Sequence, residues 1–267
     1  MTRLPDHLVY VLRYATRPAM RKDHFIGGDP HDGPMPMDYY VWAIKTPTGA
    51  VVVDTGFTAE VAAQRKRSFL HEPTELLRRC GIAADEVANV VLTHLHYDHA
   101  GNLDRFPNAM FHIQDEEMSY ATGRYMCFHR FRHGYEVDDV VDMVRLVYKD
   151  RVQFYRGDSE LLPGITLHRI GGHTAGLQCV RVHTARGWVV LASDTAHFYE
   201  NLDAYRPFPT VFNLGDMMEG FNTLRQLATT ADHIVPGHDP AVMKRYPAEA
   251  GLEGMVVRVD LDPVIQA

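Results

Sequence analysis

Residue types that bind metal ions are concentrated in four short segments of the chain. The densest segment, residues 93–99, reads Thr-His-Leu-His-Tyr-Asp-His and follows the apolar run NVVL. His94 and His96 are two residues apart, so on an extended segment both side chains point to the same side and can converge on one ion. Asp98 and His99 follow where the strand gives way to a loop, and their side chains can turn towards a second ion.

The other three segments each place one ligand-type residue directly after an apolar run. His173 lies in GGHTAG after ITLHRI, Asp194 lies in SDT after WVVLA, and His238 lies in PGHD after HIV. Together with the first segment they supply histidines and aspartates sufficient for two ions and a bridging carboxylate. The ligand set contains no thiolate, because the three cysteines are scattered and form no CxxC pair. Such nitrogen and oxygen ligands predict two divalent ions per chain, with zinc as the expected metal.

The elements that must position these residues can be read from periodicity and turn signals. Residues 16–38 are rich in Gly, Pro and Asp and predict a long loop, which is often functional. Strands are predicted at 8–15, 38–46, 49–56, 89–93, 152–155, 165–170, 178–184 and 188–193, with a hairpin turn at residues 47–49. Helices are predicted at 58–81, 114–123, 134–148 and 215–229. Strands dominate each half and no Gly/Ser linker divides the chain, so we expect one domain spanning residues 1–267.

Composition limits the class of protein and its partners. The 267 residues are 46% hydrophobic and 23% charged, an ordinary globular balance. The formal net charge of −7 argues against nucleic acid as the main partner. No apolar run approaches the roughly 20 residues of a membrane helix, and the N-terminus lacks the apolar core of a signal peptide. We therefore expect a cytoplasmic protein that acts on a small molecule without nucleic acid or membrane, and a homodimer stays open.

The four segments HLHYDH, GGHTAG, SDT and PGHD, in this order, resemble the metallo-β-lactamase-fold hydrolases over about residues 38–240. The resemblance implies an α+β fold, a four-layer αββα sandwich with a dinuclear metal site at one edge of its two sheets. It also implies how the ligands divide between the ions. One ion would be held by His94, His96 and His173, the other by Asp98, His99 and His238, and Asp194 would bridge them.

Within this fold, the chain is most similar to the N-acyl homoserine lactonases. The similarity lies in the chain length, the N-terminal loop before PMPMDYYVWAI, the VVVDTG turn and THLHYDHAGN. It implies a quorum-quenching enzyme in which Asp54 accepts a hydrogen bond from a ligand such as His99. In those lactonases a tyrosine three residues after the bridging aspartate contacts the lactone carbonyl. That position is His197 here, so either His197 or Tyr199 is expected to support the carbonyl oxygen.

The expected reaction is hydrolysis of a lactone or ester. Two ions about 3.5–4 Å apart lower the pKa of bound water from 15.7 towards 7, which supplies a metal-bound hydroxide to attack the carbonyl carbon. Asp98 could then relay a proton to the leaving alkoxide. No GxSxG motif provides a serine nucleophile instead.

Substrate selectivity is expected from the 16–38 loop and the helical segment 114–150. An apolar acyl or aryl group would suit a lining of Met20, Phe25, Met35, Met37, Tyr125 and Phe128. The same side chains could equally be ordinary core or dimer-contact residues. Arg130 and Arg132, with His129 and His133, could bind a carboxylate or form a solvated face.

Other functions of the same fold remain as alternatives. A thioesterase of the hydroxyacylglutathione hydrolase type, or another small-molecule lactonase or arylesterase, would use the same ligands. A flavodiiron-type oxidoreductase would have Glu where this chain has His96, and a nuclease would usually add a basic domain. A non-enzymatic binding module is disfavoured because all seven ligand positions hold metal-binding residues.

Overall fold

The computed structural model describes residues 3–265. Its strands, numbered β1 to β13 in chain order, are Leu8–Arg17, Met37–Thr46, Gly49–Val53, Ser68–Phe69, Asn89–Val91, Met110–Gln114, Val152–Tyr155, Ser159–Leu162, Ile165–Arg169, Gln178–Thr184, Gly187–Ser193, Ile234–Pro236 and Val256–Arg258. Its α-helices, α1 to α8, are Ala59–Gln64, Pro73–Arg79, Asp115–Ala121, His129–Arg132, Val137–Val147, Tyr199–Asp203, Leu214–Leu227 and Val242–Arg245.

The strands form two sheets. The first has the order β13-β1-β2-β3-β5-β6-β7, with the short β4 paired to β1, and the second has the order β12-β11-β10-β9-β8. Antiparallel pairing of β2 with β3 joins Thr46 to Gly49, as the hairpin signal predicted. Both sheets are mixed, because β3, β5, β6 and β7 pair in parallel and so do β11 and β12.

Alternating side chains of the strands divide the core into layers. In β1, Val9 and Val11 pack between the two sheets, whereas Tyr10 and Leu12 face the opposite side of the first sheet. That opposite side is covered by residues of α2, α3 and α5, and the outer side of the second sheet by residues of α7. The period-2 pattern therefore yields helix, sheet, sheet and helix layers, which is the expected αββα sandwich.

The prediction of one helix over residues 58–81 was wrong. The structure has two helices, α1 and α2, separated by strand β4. Lys66 adopts a left-handed φ of 56° just after α1, which ends the helical path. Pro73 then occupies the first turn of α2, where its missing N–H costs nothing. Strands β6, β8 and β13 were not among the predicted strands either.

The ligand-bearing strands point towards one end of the sandwich. In the first sheet, β3 and β5 are parallel. In the second sheet, β9 and β11 are both antiparallel to β10, so they run in the same direction, and β12 is parallel to β11. Residues that follow the carboxyl ends of these strands can therefore meet at one edge of the two sheets.

Within residues 3–265, none of the helices has the length and apolar composition to cross a membrane.

Candidate metal centre

The four segments singled out in the sequence meet in space. They follow β5, β9, β11 and β12, and each lies in a loop that begins at or just beyond the strand end. Their ligand-type side chains are all buried. They form groups whose ligand atoms all lie within 4.8 Å of one another. Three of these groups are His94/His96/His173, His94/His99/Asp194 and Asp98/His99/His238.

Asp194 lies between two of these groups, with one carboxylate oxygen facing each. Its Oδ2 is 3.2 Å from Nε2 of His173 and 3.9 Å from Nε2 of His94. Its Oδ1 is 3.4 Å from Nε2 of His99 and 3.0 Å from Nε2 of His238. The two oxygens of one side chain are therefore divided between two ligand groups, as a carboxylate bridging two ions requires.

The outer ring nitrogens of the histidines are held by hydrogen bonds. Nδ1 of His99 is 2.7 Å from Oδ2 of Asp54. The Nδ1 atoms of His173 and His238 donate to the backbone carbonyls of Thr210 and Asp38, at 2.7 and 2.8 Å. Such partners fix the tautomer and the ring orientation, so that Nε2 is the nitrogen facing the other ligand residues. Asp54 thus has the contact that the lactonase resemblance implied.

Asp54 and Ser193 are held in unusual backbone conformations at the ends of their strands. Their φ angles are 59° and 46°, in the left-handed region that non-glycine residues rarely adopt. Asp54 accepts hydrogen bonds from the backbone N–H and the hydroxyl of Thr93, at 2.7 and 2.8 Å. The Thr93 and Ser193 hydroxyls are 2.8 Å apart, which joins the two strand ends beneath the site.

The buried donor set fits divalent cations. Nε2 of His94, Nε2 of His99 and Oδ1 of Asp194 are buried atoms without a hydrogen-bond partner in the described residues. Unsatisfied buried polar atoms are costly, and here they converge on one another. Nitrogen and carboxylate oxygen donors of this kind suit zinc and related divalent ions.

The charge balance leads to the same conclusion. Among residues 3–265, only histidines lie within ion-pair distance of the carboxylates of Asp54, Asp98 and Asp194. Although burial lowers the pKa of His99, the carboxylates of Asp194 and Asp54 outweigh it and raise that pKa well above its usual value. Burial, reinforced by its histidine neighbours, instead lowers the pKa of His94, which leaves that ring neutral and able to bind metal. The carboxylates thus present an excess of negative charge that divalent cations would neutralise.

A buried glutamate that the sequence analysis missed connects two of the ligand loops. Glu117, in α3, is fully buried. Its Oε1 accepts from the backbone N–H of Leu95 and the hydroxyl of Tyr135, both at 3.0 Å. Its Oε2 accepts from the Thr174 hydroxyl at 2.6 Å and the Gly176 N–H at 3.2 Å. Four donors thus tie the loop that carries His94 and His96 to the loop that carries His173.

A cavity of about 170 Å³ opens onto the ligand groups. Its walls include five of the ligand residues and His197, together with charged and aromatic side chains that the sequence analysis had not assigned to the site. These further lining residues are Arg17, Tyr39, Arg65, Arg67 and Tyr97. The wall also includes His133, which was expected to bind a carboxylate or to belong to a solvated face. Both segments expected to shape the pocket contribute, since Arg17 and Met37 come from 16–38 and His133 comes from 114–150.

Of the six apolar residues expected to line the pocket, the structure places only Met37 in the cavity wall. Phe25 is buried beneath the guanidinium groups of Arg21 and Arg206. The other four lie outside the cavity wall because the 16–38 loop and segment 114–150 turn them to the surface or to other clusters. They are Met20 and Phe128, both exposed, Met35, half-buried beside Arg21, and Tyr125, packed on Phe212.

His197 lies against the ligand groups. Its Nε2 is 3.0 Å from Oδ2 of Asp194, and its ring stacks on Phe208 with centroids 3.6 Å apart. Burial lowers the pKa of His197 to about 3 in spite of the Asp194 carboxylate, so the ring is neutral near pH 7. A neutral imidazole can donate one hydrogen bond and accept another.

Tyr199 lies away from the cavity. It begins α6, and its ring packs under the guanidinium of Arg245 at 4.5 Å. Its side chain joins the core between the two sheets, which removes its hydroxyl from the cavity wall. The structure therefore brings His197, and not Tyr199, to the cavity.

Ligand loops at one edge of an αββα sandwich define a class of metal-dependent hydrolases. The metallo-β-lactamase superfamily model matches residues 35–238, and the chain belongs to that superfamily. The match begins just before β2 and ends at His238, so it includes every segment that contributes to the ligand groups.

Curated relatives include lactonases. The N-acyl homoserine lactonase AiiA of Bacillus thuringiensis subsp. kurstaki is 30% identical over 186 residues, which cover 63% of this chain and 68% of the relative. An N-acyl homoserine lactonase of a Bacillus species is 29% identical over 190 residues, covering 64% and 70% of the two chains. A probable metallo-hydrolase of Mycobacterium tuberculosis is 25% identical over 263 residues, covering 90% and 84%.

Solved structures share the fold over nearly the whole chain. A quorum-quenching N-acyl homoserine lactone lactonase superposes with a TM-score of 0.75 at 21% identity, covering 90% of this chain and 95% of that one. AidC, described as a dizinc quorum-quenching lactonase, superposes with a TM-score of 0.67 at 14% identity, covering 100% and 96%. The fold and the curated relatives together identify the chain as a hydrolase of the metallo-β-lactamase superfamily.

Proposed function

We propose that the protein is a dinuclear metal hydrolase that opens a lactone or ester bond, with zinc as the metal. The observation that carries the proposal is the position of Asp194, whose two oxygens face separate groups of buried ligand atoms, each of which includes one histidine nitrogen without a hydrogen-bond partner in the described residues. The lactonase relatives favour a lactone among the possible esters. Opening N-acyl homoserine lactones in the manner of a quorum-quenching enzyme is the specific form of this activity that they suggest.

We assign a separate role in the proposed reaction to each group of residues. His94, His96 and His173 would hold one ion, Asp98, His99 and His238 the other, and Asp194 both. When bound, such ions lower the pKa of water and polarise a carbonyl oxygen. Asp98 lines the cavity and can carry a proton to the leaving alkoxide. The Nε2 of His197 contacts Asp194 in the structure, and with Asp194 bound to the ions this N–H would instead donate towards the carbonyl oxygen, where negative charge develops.

We also propose that residues 1–267 act as one domain, in the cytoplasm, on a small molecule. The segments 16–38 and 114–150 would form the walls of its pocket. Support comes from Arg17, Met37 and His133, which these segments contribute to the cavity.

Metal analysis combined with a substrate panel tests the proposed function. We expect two zinc ions per chain by elemental analysis after expression with added zinc, and hydrolysis of N-hexanoyl homoserine lactone, γ-butyrolactone or an aryl acetate. Removal of metal with a chelator should abolish activity, and zinc should restore it. Active protein with one ion or fewer, or full activity in the metal-free protein, would contradict the dinuclear mechanism.

His197→Phe should reduce kcat on the preferred lactone by about 100- to 1000-fold, the usual cost of losing one donor to a developing oxyanion. Phenylalanine keeps the stacking on Phe208, so the packing and the metal content should be retained. Tyr199→Phe is the matched comparison and should leave kcat near the wild-type value. An unchanged kcat in His197→Phe with a large loss in Tyr199→Phe would move the role to the tyrosine.

A further inference from the structure

Three arginines line the cavity at the metal centre, and two of them have no acidic partner. Arg65 donates to a carboxylate oxygen of Glu136 at 2.6 Å, so its charge is balanced. Arg17 and Arg67 make no ion pair with a carboxylate within residues 3–265, although both are half-buried. Their guanidinium groups are therefore cationic groups in the cavity wall without a counter-charge of their own.

The contacts that these two side chains do make are weak or neutral. Arg17 donates from Nη2 and Nε to the Sδ of Met37, at 2.8 and 3.3 Å. Arg67 donates from Nε to the Tyr97 hydroxyl at 3.0 Å and from Nη1 to the Arg65 carbonyl at 2.8 Å. A thioether is a poor acceptor, and a guanidinium has five N–H donors. Both arginines thus retain unused donors.

Several other half-buried arginines of the described chain are paired with carboxylates, and others, such as Arg151, Arg181 and Arg225, donate to backbone carbonyls. Arg21 and Arg206 both bind Asp29 and Glu200. Arg258 binds Asp260, and Arg245 binds Asp232. In a chain with a net charge of −7, acidic partners are plentiful. Arg17 differs from both kinds, because within the described residues its guanidinium donates only to the thioether of Met37, and Arg67 lies with it in the cavity wall.

A short chain of aromatic contacts connects Arg67 to the metal ligands. The Tyr97 hydroxyl, which accepts from Arg67, donates to the Tyr39 hydroxyl at 3.3 Å. The Tyr39 ring lies 5.3 Å from the ring of His238. Because both arginines and five ligand residues line the same cavity, a molecule whose carbonyl lies at the ligand groups can reach the arginines with its other end.

The size of the cavity favours a compact molecule. Its volume of about 170 Å³ is well below the roughly 300–1000 Å³ of pockets that enclose drug-sized ligands. Apart from Met37, the apolar residues expected to hold an acyl chain lie outside its wall. Small size and two arginines without ion-pair partners together favour a small acid over a long-chain amide.

We propose that Arg17 and Arg67 bind a carboxylate of the substrate, so that the preferred substrates are compact lactones or esters that carry a carboxylate beside the scissile bond. The inference rests on the proposed hydrolase function and specifies its substrate class. Guanidinium groups recognise carboxylates through paired, charge-assisted hydrogen bonds. In the reaction, water adds to the acyl carbon, the acyl carbon–oxygen bond breaks, the alkoxide takes one proton of the water, and the other proton leaves as the new acid ionises. A lactone then yields a hydroxy dicarboxylate, and an open ester yields a carboxylate and an alcohol.

A matched pair of lactones tests this preference in the zinc-loaded enzyme. The probes are 5-oxotetrahydrofuran-2-carboxylate and its carboxamide, which differ in charge and little in shape. We expect kcat/KM to be about 10- to 100-fold higher for the acid, as charge-assisted hydrogen bonds allow. In the double variant Arg17→Gln/Arg67→Gln that ratio should fall to near one. The double variant Arg105→Gln/Arg156→Gln removes an equal charge from exposed side chains outside the cavity and should preserve the ratio.

A binding measurement complements the kinetics. Glutarate titrated calorimetrically into the zinc-loaded enzyme should bind at least about tenfold more tightly to the wild type than to the double variant. Inorganic phosphate should show a smaller difference. A larger difference for phosphate would overturn the assignment to a carboxylate.

The outcomes separate this inference from the function on which it rests. If neutral lactones are hydrolysed but the acid is no faster than its carboxamide, the carboxylate preference is wrong and the hydrolase function stands. If the double variant Arg17→Gln/Arg67→Gln still hydrolyses the acid faster than the carboxamide, Arg17 and Arg67 do not bind the carboxylate, and the hydrolase function again stands. If no lactone or ester is hydrolysed by enzyme that holds two ions, the proposed function itself fails. Turnover of the carboxamide by the double variant reports whether that variant is folded.

Discussion

Asp194→Ala should lower kcat/KM on any substrate of the enzyme by well over 100-fold and should release at least one of the two ions. The expected size follows from its position, because loss of a residue that merely orients a ligand already costs about 10- to 100-fold in metal affinity or activity. Asp194 instead has an oxygen facing each ligand group, at 3.2 Å from His173 and 3.0 Å from His238. Its removal leaves both groups without their shared carboxylate. Elemental analysis and kinetics on the same preparation measure the two effects together.

Asp203→Ala is the control for this variant. Asp203 ends α6 on an exposed part of the surface, so the substitution removes the same charge without touching the ligand groups. We expect wild-type metal content and kinetics from it. Near-normal turnover with two ions in Asp194→Ala would show that the carboxylate does not bridge them.

The superfamily and the fold were accessible from the sequence because their signals are local. Each ligand lies within a few residues of the strand that carries it, so short motifs such as HLHYDH and PGHD identify both the residue and its position at a strand end. Alternation of apolar residues predicted most strands, and the layers follow from packing their apolar faces. The prediction failed between residues 58 and 81, where a left-handed residue and a proline divide one apparent helix into two.

The residues that line the cavity could not be predicted from local motifs, because they are distant in the sequence and come together only in the folded chain. Arg17 ends β1 and Arg67 follows α1, and nothing in their flanking residues distinguishes them from the arginines that form ordinary ion pairs. The apolar residues of the 16–38 loop have the composition of a substrate pocket, yet Phe25 packs beneath Arg21 and Arg206. Composition predicted an apolar wall, whereas tertiary contacts produced a cationic one.

Glu117 is a further residue whose role could not be predicted from the sequence, although the choice lies within one turn of helix. The segment QDEE has three consecutive acids, and the sequence gives no reason to prefer one of them. In the structure Glu116 forms a surface ion pair with Arg169 and is half exposed, whereas Glu117 is fully buried among four donors. Helical geometry turns adjacent residues to different faces, so only the packing of α3 decides which acid joins the site.

Glu117→Ala should be the most destabilising single change near the site that does not remove a ligand. It leaves the N–H groups of Leu95 and Gly176 and the hydroxyls of Thr174 and Tyr135 without their buried acceptor. Each unsatisfied buried donor costs about 1–3 kcal/mol, so we expect the free energy of unfolding of the metal-free protein to fall by at least about 3 kcal/mol. Denaturant titration measures this loss.

The same variant should weaken metal binding, because Glu117 joins the loop carrying His94 and His96 to the loop carrying His173. We expect zinc affinity to fall by about 10- to 100-fold, the usual effect of removing a group that orients ligands. Glu116→Ala is the matched control one residue away, and its loss of an exposed ion pair should change stability by less than about 1 kcal/mol and leave zinc affinity unchanged. If Glu117→Ala lost stability yet bound two zinc ions with wild-type affinity, Glu117 would support the fold and not the geometry of the metal centre.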